Sequence, residues 1–142
     1  MKEIDGPGSW EIAESMERAI PWGSSTCSKK PRLFPDEPGA IVRGRGCRVW
    51  DADGREFIDF RNGLGPVTLG YAFPEVDAAV RAQLETGVVF GHPHPLEGEV
   101  AEMLIERIPG AEQARFLKTG GEALAACIRI ARCVTGRDRV VQ

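Results

Sequence analysis

Arg115-Phe116-Leu117-Lys118-Thr119-Gly120-Gly121-Glu122-Ala123-Leu124 takes an apolar, strand-like run through two glycines into a helical pattern. Leu124, Ile128, Ala131 and Val134 follow at three- and four-residue spacing, with Arg129, Arg132 and Arg137 between and after them. A backbone that turns sharply into a helix offers unpaired N–H groups at the positive end of the helix dipole, and glycines let an anion approach them. Two readings are open on these residues alone: a phosphate-binding turn, or an ordinary tight strand-to-helix connection. Neither the G-x-x-x-x-G-K-[ST] phosphate loop nor the G-x-G-x-x-G dinucleotide turn is present.

Working outward from the turn, helical periodicity recurs upstream. Leu96, Val100, Met103, Leu104 and Ile108 form one apolar stripe, read as core, and Pro109-Gly110 ends that helix. Pro74 suits the first turn of another helix, with Val76, Ala79, Val80 and Leu84 on its face and Gly87 as its cap. Gln113 to Leu117 and Arg139-Val140-Val141 read as strands, so the C-terminal part has the order β, turn, α, β. Such a unit needs further strands beside it, with helices over both faces. The expectation is therefore an α/β chain that forms only the N-terminal portion of something larger.

Earlier in the chain, Asp53-Gly54 between short apolar runs predicts a β-hairpin over Arg48 to Phe60. Ala40 to Val42 is a further short apolar run, and Gly63-Leu64-Gly65-Pro66 interrupts the chain as a loop. Ser9 to Ile20 carries Ile12, Met16, Ala19 and Ile20 at helical spacing, with Ser9 as N-cap and Pro21 as a stop. Pro21 to Pro38 is a long, proline-broken loop, of a length that goes with mobility or function.

The chain has 142 residues, 42% apolar and 27% charged, with net charge −3. That composition suits one ordinary globular core and supplies no basic field for nucleic acid. No apolar run nears the roughly 20 residues of a membrane span, and the N-terminus lacks a signal peptide's apolar core, so a cytoplasmic protein is expected. Cys27, Cys47, Cys127 and Cys133 form no C-x-x-C pair and read as free thiols. His92 and His94 alternate in an extended Gly91-His92-Pro93-His94-Pro95 segment but have no third ligand nearby, and no metal site is assigned.

Several ordered matches resemble one family: Val49-Trp50-Asp51-Ala52-Asp53-Gly54, Phe57-Ile58-Asp59-Phe60, Gly65-Pro66, Leu69-Gly70-Tyr71-Ala72, Ile108-Pro109-Gly110-Ala111-Glu112, Thr119-Gly120-Gly121-Glu122-Ala123 and Thr135-Gly136-Arg137. From about Pro21 to Gln142 the chain is similar to the N-terminal third of the class III aminotransferases, and within them to the glutamate-1-semialdehyde 2,1-aminomutase group. The resemblance implies the N-terminal part of a type I pyridoxal-phosphate (PLP) transferase fold. Residues 1–20 would be a leading amphipathic helix, 21–72 the small-domain side, and 73–142 the start of the large, PLP-binding domain. It further implies a homodimer acting on a small-molecule amino donor and a carbonyl acceptor.

By the same resemblance Thr119, Gly120 and Gly121 bind the cofactor's phosphate, with Lys118 as a neighbouring positive charge. The family usually has Ser or Thr where Gly121 stands, so one hydroxyl contact is replaced by backbone alone. On the substrate side, Lys29 is nearest to an arginine that holds the aminomutase's substrate carboxylate, and Leu64 stands where a tryptophan lines its site. Lysine is a point charge and cannot form the two-pronged clamp of arginine, so a substrate other than glutamate semialdehyde is expected. The Schiff-base lysine and the aspartate that pairs with the pyridine nitrogen belong to family segments beyond Gln142, which implies no catalytic residue here and no transamination by this chain alone. Two alternatives stand beside this one: a non-catalytic remnant that associates with a full-length homologous subunit, and a free-standing phosphate-binding module.

Overall fold

The structure is a computed structural model that describes residues 6–30 and 36–141. The chain divides into two compact units between Val88 and Val89. The first holds helix α1 (Ser9–Ala19), strands β1 (Ile41–Arg45), β2 (Arg48–Asp51) and β3 (Glu56–Ile58), and helix α2 (Pro74–Thr86). The second holds helices α3 (Pro95–Arg107) and α4 (Gly120–Thr135).

The three strands form an antiparallel meander in the order β1-β2-β3. The Asp53-Gly54 hairpin forms as expected, pairing Val49 with Phe57 and Arg48 with Ile58. A second hairpin, through Gly46-Cys47, joins β1 to β2 with Arg45 opposite Arg48. Gly46 has φ of 57°, the left-handed conformation that a two-residue hairpin of the II′ kind needs at its first central position. Arg43 lies across the Trp50 ring at 3.8 Å, so the solvent face of the meander is closed by a cation over an aromatic.

Helix α1 is pegged to this meander by polar groups. The expectation that Ser9 caps the helix is corrected: Gly8 is the N-cap and Ser9 is the first helical residue. Fully buried, the Ser9 hydroxyl accepts from the Ala40 N–H at 2.8 Å and reaches the Ala40 carbonyl at 3.3 Å. Its backbone N–H donates to Asp53 Oδ1 at 2.9 Å, so the hairpin turn supplies the oxygen that a capping side chain would. The contact leaves no room at Gly39, where an added Cβ would lie 2.5 Å from the Ser9 carbonyl oxygen. Beside it, the wholly buried Asp51 carboxylate accepts from the Arg55 backbone N–H at 2.9 Å and from Arg55 Nε at 2.8 Å. A buried charge with that many donors is compensated.

The buried apolar residues among those described are Ala13, Val49 and Ala52, all in the first unit. Helices α2, α3 and α4 lie within a residue or so of where periodicity places them. Their stripes, however, are open: Val76, Val80 and Leu84 of α2, Leu96, Val100 and Met103 of α3, and Leu124 and Val134 of α4 are exposed. The reading of the α3 stripe as core is corrected accordingly. Also corrected are the expected strands at 113–117 and 139–141, which have no strand partner among the described residues. A strand is defined by its neighbour, and an apolar run without one remains irregular.

Candidate functional site

The expected site residues fall in both units, and each group is built differently. In the second unit, Thr119 is the N-cap of α4, in extended conformation at φ −131° and ψ 155°. Its hydroxyl oxygen accepts from the Glu122 N–H at 3.2 Å, while Glu122 Oε2 accepts from the N–H groups of Thr119 at 3.1 Å and Lys118 at 3.0 Å. This is a reciprocal capping box, whose sequence signature Thr119-x-x-Glu122 the glycine-centred reading passes over. The box uses the hydroxyl's oxygen as acceptor and leaves its proton to donate.

Gly120 and Gly121 open the helix, and their N–H groups have no acceptor among the described residues. The space over both glycines is open: a Cβ at Gly120 would meet nothing within 4 Å, and one at Gly121 only Thr119 Oγ1 at 4.0 Å. Two free backbone donors, one hydroxyl proton and the dipole of a 16-residue helix form a donor set that fits a phosphate dianion. Thr119, Gly120 and Gly121 are thus contiguous, exposed and free to donate. Glu122 is a residue the sequence reading missed at this site. A shallow hollow of about 490 Å³ elsewhere in the unit, lined by Ala101, Ile105 and residues 112–115, does not include the turn.

The first unit carries Lys29 and Leu64. Lys29 ends a short 3₁₀ turn, Cys27–Lys29, and Leu64 ends another, Asn62–Leu64. Leu64 has φ of 66°, and Asn62 and Ala72 have 51° and 52°, a concentration of left-handed non-glycine residues in one loop. Such conformations cost about 1 kcal/mol or more each and are held only where neighbouring structure fixes them. Asp59 does much of that fixing. Its Oδ1 accepts from the N–H of Arg61 at 2.7 Å and of Asn62 at 3.2 Å, and its Oδ2 from the Tyr71 hydroxyl at 2.7 Å. Burial alone would raise the Asp59 pKa, but the bond from Tyr71, those from the two N–H groups and the Arg61 charge together hold it below the ordinary carboxylate value. The same bond to Asp59, with burial and the carboxylate's charge, raises the Tyr71 phenol. Tyr71 also pairs with Gly46 through two backbone bonds of 2.8 and 2.9 Å, fastening the loop's far end to the meander.

Arg61 joins the two turns. It donates from Nη1 to the Ser28 carbonyl at 2.9 Å and pairs through Nη2 with Glu37 at 2.5 Å. Sequence reasoning missed Arg61 because nothing local marks a contact between residues 33 positions apart.

His94, one of the two histidines weighed for metal, instead caps α3: its Nδ1 accepts from the Leu96 N–H at 3.2 Å and its ring stacks on Phe90. All four cysteines are exposed thiols. Among the described residues no helix is long and apolar enough to cross a membrane.

Residues 35–142 match the family described as aminotransferase class-III. The chain is 40% identical over 132 residues to a glutamate-1-semialdehyde 2,1-aminomutase of Bordetella avium, covering 93% of this chain and 31% of that protein. Its fold superposes on an omega-transaminase from Sphaerobacter thermophilus with TM-score 0.84 and 36% identity, covering 96% of this chain and 30% of the other. A PLP form of the FumI protein of Sphingopyxis sp. MTA144 is similar at TM-score 0.84 and 33% identity, covering 93% and 32%. The chain therefore spans about a third of the length of the relatives it matches.

Proposed function

The chain belongs to the class III aminotransferase family, and from that membership we propose that it is the phosphate-receiving N-terminal part of a PLP-dependent aminotransferase or aminomutase. The whole enzyme, a cytoplasmic homodimer in this reading, transfers an amino group between a small amino donor and a carbonyl compound. When bound, PLP supplies the carbonyl and the electron-withdrawing ring through which that group moves. The observation that carries the proposal is the α4 N-terminus, where Gly120 and Gly121 N–H and the Thr119 proton have no acceptor among the described residues and face open space.

In this reading the chain's own residues bind and orient. The two glycine N–H groups and Thr119 O–H hold phosphate oxygens, and Lys118 adds a nearby positive charge. Lys29 attracts a substrate carboxylate and Leu64 shapes an apolar wall, which supports a substrate other than glutamate semialdehyde. In this reading none of these residues is assigned to proton transfer at the reacting carbon.

Amide spectra of the chain titrated with pyridoxal 5′-phosphate test the phosphate role. Gly120 and Gly121 resonances are expected to move with PLP and with inorganic phosphate, but not with pyridoxal, which lacks the phosphate. No movement with either phosphate compound removes the basis of the reading.

A further inference from the structure

We infer that Arg61 is a positioning residue for the substrate side of the site: one guanidinium locks the turn carrying Lys29 to the turn carrying Leu64 and presents them as a single surface to a carboxylate-bearing ligand. The inference rests on the proposed roles of Lys29 and Leu64 and adds the device that would hold them together.

The geometry has three parts. Arg61 is anchored at its base, since its N–H donates to Asp59 Oδ1 at 2.7 Å and the Asp59 N–H donates to the Cys47 carbonyl of the meander at 2.8 Å. Its head is engaged twice, by the Ser28 carbonyl at 2.9 Å and the Glu37 carboxylate at 2.5 Å. A planar guanidinium presents several donors in a fixed fork, so holding both partners also fixes where Ser28 and its neighbour Lys29 stand. Third, the chain leaving Arg61 goes straight into left-handed Asn62, Gly63 and Leu64, whose turn closes by bonds from Leu64 N–H to the Arg61 carbonyl at 2.8 Å and from Gly65 N–H to the Asn62 carbonyl at 2.9 Å. Strain of this kind at a non-glycine residue persists where a side chain must be aimed. With Glu37 occupying one end of the guanidinium, Arg61 is already neutralised and serves as a brace, leaving Lys29 as the cation offered to a ligand.

Hydrogen exchange and succinate binding, measured on the full chain, test this. The Lys29 and Lys30 amides close the first turn onto the Thr26 and Cys27 carbonyls, so they report whether that turn is held. In Arg61→Met both amides are expected to exchange about tenfold faster, as befits losing a hydrogen bond to a charged group, while the Tyr71 amide, bonded to Gly46, keeps its rate. Arg61→Lys should recover only part of the protection, because an ammonium cannot reproduce the fork. Unchanged Lys29 and Lys30 rates overturn the inference. If Arg61→Met also frees the Tyr71 amide, Glu37→Gln replaces it as the test: about threefold faster exchange at Lys29 is expected, and no change again overturns the inference. Succinate separates the two layers of the argument. Shifts of Lys29 and Leu64 resonances in the parent chain, with affinity about tenfold weaker in a folded Arg61→Met, support positioning, and equal affinity refutes it. No succinate response in the parent chain refutes the substrate roles of Lys29 and Leu64, while the exchange rates still decide the brace.

Discussion

The two units hold themselves together in opposite ways. In the first, side chains reach far along the sequence: Ser9 to Ala40 across 31 residues, Ser9 to Asp53 across 44 and Arg61 to Ser28 across 33. In the second, among the described residues, no side-chain hydrogen bond spans more than the six residues between Arg132 and the Asp138 carbonyl. Its helices are well capped and well ended, yet their apolar stripes stay open. Local signals mark where helices begin and end, whereas a unit resists unfolding through contacts that cross it. The part proposed to receive the phosphate is thus shaped by local rules, and the part proposed to meet the substrate by tertiary ones.

Breaking the tertiary unit should have the largest effect. Gly39→Ala places a methyl 2.5 Å from the Ser9 carbonyl oxygen and 2.9 Å from the Trp10 Cα, both backbone atoms that cannot rotate away. A loss of about 3 kcal/mol is expected, the upper end of the usual cost of overpacking. Trp10, Trp22 and Trp50 all lie in the first unit, so urea unfolding followed by tryptophan fluorescence reads it directly. An unshifted midpoint would mean that the contact between Ser9 and the Gly39 backbone does not hold the first unit together.

A smaller and pH-dependent effect is expected at Tyr71→Phe. Because the folded Asp59 pKa lies below its ordinary value of 3.8, its stabilisation is complete above that value and is lost as pH falls through the lower folded value. Tyr71, raised above 10.0, contributes fully below that pH and loses its contribution as pH rises through the raised value. Parent and variant should therefore differ most between about pH 5 and 9 and converge at acid pH, by roughly 1 kcal/mol at neutrality. A difference that stays constant down to pH 2 would mean that the bond to Asp59 is not what the phenol contributes.

The smallest effect belongs to the local unit. Thr119→Ala removes one exposed cap of α4 and should cost about 1 kcal/mol or less. Far-UV circular dichroism would show a slight loss of helix, while tryptophan fluorescence stays unchanged. A change in both signals would show that the helix cap matters beyond its own unit.

What could be read from the residues follows the same division. The Asp53-Gly54 hairpin, the Pro74 start of α2, the Pro109-Gly110 stop after α3 and the extent of α4 were legible because each is written in a few neighbouring residues. The turn through Thr119, Gly120 and Gly121 was legible for that reason too, as the start of α4. Ser9 was legible as a polar residue at a helix start, but its partner, Ala40, was not. The runs at 113–117 and 139–141 have strand-like composition and no strand to pair with. Leu64 could be placed in a loop, but its left-handed backbone depends on Asp59 gripping the residues before it. Arg61 gives no local sign at all.

The bond from the Ser9 N–H to Asp53 also bears on the order of events as the chain is made. The helix is synthesised 44 residues before the turn that completes its first turn of donors. A helix of 11 residues is too short to persist alone in water. The nascent segment is therefore expected to gain its helix only once the Asp53-Gly54 hairpin has closed, with the meander as the template on which the earlier sequence is wound.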